Sequence, residues 1–153
     1  MRDDVLKLLT LLKEHLTEKL HLIDEYREAQ ETLQRLISSD QTEEIPEHLE
    51  AMEALSSNIE DKDYNTGSLY DQIARTAGTD RYALFELLQE TGDREADSVL
   101  DLENSIHEKI RDLARFQQEI IIAMQEASMR YRFDAEEISR ILRLQPSIKK
   151  HKS

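Results

Sequence analysis

Residues 93–144 read DREADSVLDLENSIHEKIRDLARFQQEIIIAMQEASMRYRFDAEEISRILRL, more than fifty residues without a proline or a glycine. Such a stretch predicts one α-helix, about 75 Å long at a rise of 1.5 Å per residue. Average helices in globular proteins have about 11–12 residues, so this length is typical of coiled coils and helical bundles. The apolar stripe of so long a helix needs cover, which the rest of the chain supplies only in part.

Two further long helices are predicted before this segment. Residues 3–37 carry apolar side chains at spacings of three and four, with Gln30 filling the one gap in the stripe. Residues 43–77 carry a second stripe that ends at Gly78. Because residues 61–67 are poor in apolar side chains and include a glycine, we expect a kink or break in this helix.

The remaining segments complete an all-α prediction. Residues 80–91 predict a short helix between two glycines, either a packing plug at one end of a bundle or an exposed docking element. We therefore expect an elongated antiparallel bundle of three long helices plus a short connector helix, formed by residues 1–144. Residues 145–153 contain a proline and are basic, which predicts a disordered tail.

Composition excludes several classes of function. The formal charge of −13 argues against nucleic-acid binding, which needs a concentrated cationic surface. The chain contains no cysteine, so disulfides, thiolate metal sites and cysteine nucleophiles are excluded. Its longest apolar run, residues 120–124, is far shorter than the roughly 20 residues that span a bilayer. We expect a soluble, cytoplasmic protein without membrane insertion.

The chain shows no pattern typical of an enzyme. It has no glycine-rich phosphate loop, no nucleophile turn and no clustered histidines. Glu18-Lys-Leu-His21 matches the E-x-x-H pattern of di-iron bundles, but a second copy is missing and both side chains are predicted to face solvent. We expect no catalytic residues, no cofactor and no metal.

The final helix is predicted to outrun the other two. It exceeds each of them by about fifteen residues, so the part beyond Arg130 would overhang the bundle. The overhang would carry these apolar side chains: Ile138, Ile141, Leu142, Leu144 and Ile148. So much apolar surface is expected to fold onto its own body, to pair with a second copy, or to receive a partner.

Two aromatic residues, Tyr131 and Phe133, lie at the start of the predicted overhang. Tyr131 and Phe133 point in different directions on a helix, so one narrow seam does not cover both. Either the core is wider at this point or a partner covers one of them, since aromatic and arginine side chains dominate interface hot spots. Past Glu137 the charges are all basic, which suits the helix dipole as well as a binding surface.

The order of elements resembles the FlgN family of flagellar export chaperones. The residues that carry the resemblance are Leu8-Leu9-x-Leu11-Leu12-Lys13-Glu14-His15-Leu16, Leu36-Ile37-Ser38-Ser39-Asp40 and Glu43-Glu44-Ile45 followed by Leu49-Glu50-Ala51-Met52 and Leu55. A short connector helix and a last long helix with a variable tail follow in the same order. The resemblance covers most of the chain.

This resemblance implies a chaperone that shields amphipathic terminal helices of secreted hook-associated subunits and delivers them to an export-gate component. It places partner binding on the last helix, which here means these residues: Tyr131, Phe133, Ile138, Ile141, Leu142 and Leu144. The alternative prediction is a non-enzymatic coiled-coil adaptor or structural homo-oligomer, for example a homodimer whose interface is the long helix.

Overall fold

A computed structural model describes residues 2–39, 41–131 and 135–144. Within these ranges the regular structure is entirely helical, which confirms the predicted all-α class. The elements are α1 (Asp3–Ser38), a 3-10 turn (Thr42–Glu44), α2 (Ile45–Thr76), α3 (Arg81–Glu90), α4 (Arg94–Tyr131) and α5 (Ala135–Arg143). The break predicted within residues 61–67 is absent, because α2 continues through them.

The ends of the short helix α3 have local causes. Its N-cap Asp80 accepts a hydrogen bond of 2.7 Å from the Ala83 amide, which satisfies one of the free N–H groups of the first turn. Gly78 lies between α2 and α3 at a φ of +73°, and Gly92 follows α3 at +65°. Side chains with a Cβ rarely adopt this left-handed conformation, so both glycines end a helix and turn the chain.

The prediction of one helix over residues 93–144 is wrong. The Gln117 side-chain amide donates a hydrogen bond of 3.0 Å to the Ile141 carbonyl. In a straight helix, two residues this far apart in sequence would be separated by about 36 Å. The chain therefore reverses direction between α4 and α5. The reversal buries Ile141 and Leu144, which a straight extension would leave without cover, so the predicted overhang does not form there.

The helices pack as two compact units. Unit 1 comprises Met1–His21 and Asp61–His107, and unit 2 comprises Leu22–Glu60 and Glu108–Ser153. Each unit has its own apolar core. The core of unit 1 includes Leu9, Leu12, Leu16, Tyr70, Ile73, Leu84, Leu88, Val99 and Ile106. The core of unit 2 includes Ile23, Tyr26, Leu33, Ile37, Leu49, Met52, Ile59, Ile110, Leu113, Ile120, Met124, Ile141 and Leu144.

In unit 1, α1 and α2 are antiparallel, because Arg2 donates to the Thr76 carbonyl at one end and Lys19 pairs with Asp63 towards the other. Lys62 pairs with Glu18, and Lys19 pairs with Asp63 in a buried position, with 2% and 7% of their side chains exposed. Charges this deeply buried persist only when each has a partner. On α3, Tyr82 points into solvent, whereas Leu84 and Leu88 belong to the core.

In unit 2, the segments of α1 and α4 run parallel. Lys109 pairs with Asp24, and Arg27 pairs with Asp112 at 2.8 Å, so both pairs join residues 85 positions apart. A constant offset of this kind means that residue numbers rise in the same direction along both helices. Next to these pairs, α2 is joined to α1 where His48 Nε2 donates to the carbonyl of residue 29 at 2.7 Å.

Candidate functional site

The candidate site is α5 and the surface of unit 2 on which it packs. Ile141 and Leu144 lie three positions apart and are both buried, so they share the inner face of the segment. Leu142 is turned by about 100° from Ile141 and is 46% exposed. Arg140 and Arg143 occupy the last turn of α5, where the helix dipole favours positive charge.

One charged contact joins α5 to α2. Arg140 Nε lies 2.8 Å from a carboxylate oxygen of Glu53, and both side chains are partly exposed. The Arg143 side chain folds back along its own helix, where Nε donates to the Ser139 carbonyl at 3.3 Å. Partly exposed pairs of this kind contribute about 1 kcal/mol or less, so the contact orients α5 more than it stabilises it.

A groove of about 450 Å³ remains open beside this contact. Its lining comes from α2 and from the end of α5: Glu53, Ser56, Ser57, Glu60, Arg140, Arg143 and Leu144. The α2 side is acidic, since Glu53 and Glu60 line the groove and residues 45–60 contain no lysine and no arginine. The groove is therefore an anionic surface to which α5 brings the positive charge.

Two buried glutamines connect α5 to the interior of unit 2. Gln117 donates to the Ile141 carbonyl in the last turn of α5, which also accepts a hydrogen bond of 3.2 Å from the Leu144 amide. Gln30 donates to the Leu113 carbonyl at 3.1 Å and lies 3.5 Å from the Gln117 side-chain oxygen. Buried amides need such partners, so the glutamines hold α5 in one position rather than in any position that hides its apolar side chains.

The predicted partner-binding residues differ in how exposed their side chains are. Ile141 and Leu144 are buried against the chain itself, so in this conformation neither is available to a partner, whereas Leu142 is accessible. The side chains of Tyr131 and Ile138, and the whole of Phe133, lie outside the described residues. The structure thus brings Ile141 and Leu142 onto one short helix and Leu144 directly after it, and their role in binding stays a prediction.

Sequence reasoning missed the residues that hold α5 in place. Gln30 is predicted to fill the gap in the first apolar stripe, but the sequence pattern does not predict its pairing with Gln117 or the bond from Gln117 to α5. The pairing of Arg140 with Glu53 was also missed. The available signal was the run of residues 45–60, which has four glutamates but no lysine and no arginine and so favours a cation from elsewhere in the chain.

The E-x-x-H pattern has a structural explanation. The Glu18 carboxylate accepts a hydrogen bond from Lys62, and this bond, together with the charge of Lys62 and of His15, lowers the pKa of Glu18 below its ordinary value of 4.5. In the ranges that the structure covers, no three His, Asp or Glu side chains gather as metal ligands would. None of the helices in those ranges has the length and hydropathy needed to cross a membrane.

No protein-family model, curated protein or solved structure matches the chain at a significant level. The resemblance to the FlgN family therefore remains an inference from the residues quoted above. Function is therefore inferred from α5, from the acidic groove beside it and from the two glutamines on which it packs.

Proposed function

We propose that the protein is a non-enzymatic export chaperone that shields an amphipathic terminal helix of a secreted flagellar subunit. In this proposal α1, α2 and α4 form an antiparallel bundle of three long helices that serves as a scaffold. The C-terminal helical region captures the subunit in the cytoplasm and presents it to an export-gate component. The proposal is supported by the order of elements and, above all, by α5.

The observation that carries the proposal is that α5 is a separate amphipathic helix and not a continuation of α4. Its apolar residues Ile141 and Leu144 are covered, but Leu142 remains exposed beside an open groove. Client helices commonly bind through apolar side chains at i, i+3, i+4 and i+7, with charges at the edges that set the orientation. An accessible leucine flanked by Arg140 and Arg143 offers both kinds of contact.

A binding experiment with matched variants tests this proposal. The probe is a labelled synthetic peptide with the sequence of the C-terminal helix of a hook-associated subunit from the same organism. We expect Leu142→Asp to weaken binding of the peptide about tenfold, which corresponds to about 1.4 kcal/mol. The control is Leu11→Asp, which introduces the same charge at a leucine of unit 1 that is 41% exposed. Equal binding by the unmodified chain and both variants would overturn the proposal.

The second candidate is an adaptor that forms homo-oligomers through α4. It is favoured by Ile122, which is 55% exposed on that helix between two half-buried apolar neighbours. Light scattering separates the candidates, because a dimer that persists after mixing with the peptide indicates an adaptor. A monomer that forms a one-to-one complex indicates a chaperone. If Ile122→Asp converts a dimer into a monomer, the interface lies on α4.

A further inference from the structure

The surface beneath α5 has a chemistry that selects a particular kind of partner helix. We define the α5 seat as the surface formed by Glu53, Ser56, Ser57 and Glu60 of α2 and by Gln117 of α4. We propose that the α5 seat binds a basic amphipathic helix of the client in the place that α5 occupies here. The proposal rests on the proposed function and specifies its binding surface and the chemistry of its partner.

The charge of the α5 seat determines the charge of its occupant. The α5 seat contains two glutamates, Glu53 and Glu60, and no lysine or arginine, and Arg140 supplies the positive charge opposite Glu53 at 2.8 Å. Glu60, about two turns further along α2, lines the same groove together with Arg143. A helix that replaces α5 therefore needs arginine or lysine beside its apolar stripe, at positions about one turn apart.

The size of the α5 seat indicates that α5 is a small occupant. The helix has nine residues, and the groove of about 450 Å³ beside its end is left open. A client helix longer than these nine residues would extend beyond the α5 seat along the neighbouring turns of α2. A longer basic helix would bury more apolar surface than α5 does, and this difference favours exchange.

Gln117 determines which end of the partner helix enters. Its side-chain amide donates to the Ile141 carbonyl in the last turn of α5, and Gln117 is itself buried. The carbonyls in the last turn of a helix lie outside the regular i+4 hydrogen-bond ladder and accept such a bond most readily, as the Ile141 carbonyl does in addition to its bond from the Leu144 amide. The partner is therefore expected to place its C-terminal turn over Gln117, and a buried amide without an acceptor would penalise the opposite direction.

The first test uses α5 itself as the probe. A fluorescein-labelled peptide with the sequence of residues 135–144 is titrated into the full-length chain, and binding is followed by fluorescence anisotropy. Arg140→Glu in the chain places two acidic groups opposite each other and loosens α5, so we expect the peptide to bind at least tenfold more tightly than to the unmodified chain. The control is Arg115→Glu, which makes the same charge change at an exposed position of α4 and is expected to leave binding unchanged.

A charge swap then tests the α5 seat directly. A second peptide carries glutamate in place of both arginines. We expect it to bind the Arg140→Glu chain at least tenfold more weakly than the basic peptide does. Adding Glu53→Arg to the Arg140→Glu chain is expected to reduce this preference or to reverse it. If both peptides bind equally well, charge does not select the occupant and the proposal is overturned.

The last test separates this proposal from the proposed function. Because the chain has no cysteine, Ser57→Cys and Arg143→Cys, both in the lining of the groove, provide a unique pair that a short thiol-specific cross-linker bridges through reducible bonds while Glu53 and Glu60 stay in place. The cross-linked chain is expected to reject the basic peptide, and reduction is expected to restore binding. If the cross-linked chain still binds the hook-subunit peptide through Leu142, the α5 seat is not the binding surface although the proposed function stands. If the reduced chain takes the basic peptide but no hook-subunit peptide, the proposed function fails while the selectivity of the seat is supported.

Discussion

The Gln117 side-chain amide on α4 donates a hydrogen bond to the Ile141 backbone carbonyl on α5 at 3.0 Å. Both groups are buried, and Gln117 is also close to Gln30 of α1. An amide that meets a helix carbonyl in this way allows one position of α5, whereas apolar contacts alone would tolerate small shifts. The bond thus specifies the position of the last described helix.

The first prediction concerns this bond. Gln117→Leu keeps the volume but removes the donor, so we expect the free energy of unfolding to fall by about 1–3 kcal/mol, as measured by urea denaturation. Gln30→Leu serves in a double-mutant cycle, and the double variant is expected to lose less than the two single variants together. Additive losses would show that the two glutamines do not act as a pair.

The buried ion pair between Lys19 and Asp63 yields a second prediction. Lys19→Met leaves the buried Asp63 carboxylate without this cation, and we expect a loss of about 3–5 kcal/mol in the free energy of unfolding. Adding Asp63→Leu should recover most of the loss, because neither charge is then buried. Lys62→Met is the control, since Lys62 pairs with the more exposed Glu18 and should lower the free energy of unfolding far less than Lys19→Met does. A loss as large as that of Lys19→Met would contradict this account.

A third prediction contrasts two glycines. Gly67 lies inside α2, where a Cβ would meet only the Arg81 guanidinium at an ordinary distance of 3.9 Å. Gly67→Ala should therefore raise the free energy of unfolding by about 0.5–1 kcal/mol, because alanine is the better helix former. Gly78→Ala should lower it by about 1–2 kcal/mol, since φ is +73° at that position. Thermal unfolding of the two variants measures both signs, and a shift in the same direction would refute the argument.

How much of this architecture was predictable depends on the range of the interaction. The helix predicted over residues 3–37 appears as Asp3–Ser38, because apolar side chains spaced by three and four require a helical backbone if they are to share one face. Gln30, which the sequence predicts in the gap of the first stripe, and Gln117 of α4 are both buried. Their partners were not predictable, since a period in one segment carries no information on which segment lies opposite.

The division between α4 and α5 shows the same limit. Without proline or glycine, local propensity favours continuation, and the only contrary pattern in the sequence is Asp134 three positions before Glu137, which is typical of a helix start. The deciding contribution is tertiary, because Ile141 and Leu144 are covered only if the chain turns back. The candidate site on α5 was therefore predicted in its residues but not in its surroundings.

The fourth prediction concerns alkaline pH. Burial raises the pKa of Tyr26, and burial together with the Glu103 carboxylate raises that of Tyr70, both above the ordinary value of 10.0. A raised folded-state pKa stabilises the fold below pH 10, and this contribution is lost as the pH rises further. The free energy of unfolding should fall by about 1.4 kcal/mol per pH unit for each of these tyrosines. Tyr70→Phe should reduce this slope in denaturation series between about pH 9 and 11.5, whereas Tyr82→Phe, at an exposed tyrosine, should not.

The same two tyrosines are expected to respond oppositely to substitution at neutral pH. The Tyr70 hydroxyl lies 2.7 Å from a Glu103 oxygen, so Tyr70→Phe should lower the free energy of unfolding by about 1–3 kcal/mol. The buried Tyr26 hydroxyl has no hydrogen-bond partner among the residues that the structure describes. Tyr26→Phe should therefore be neutral or stabilising by about 1 kcal/mol. Urea denaturation of both variants provides the measurement, and equal losses would be inconsistent with an unsatisfied hydroxyl.

The parallel seam of α1 and α4 has a consequence for the order in which the protein folds. Contacts such as Lys109 with Asp24 close a loop of 85 residues, whereas the contact between His48 and the carbonyl of residue 29 closes one of 19. The longer closure costs about 1.3 kcal/mol more in chain entropy, so the α1–α2 hairpin is expected to form first. During synthesis one apolar face of the hairpin is expected to stay exposed to solvent until α4 leaves the ribosome. A chain truncated before residue 94 is accordingly expected to aggregate and not to remain a folded monomer.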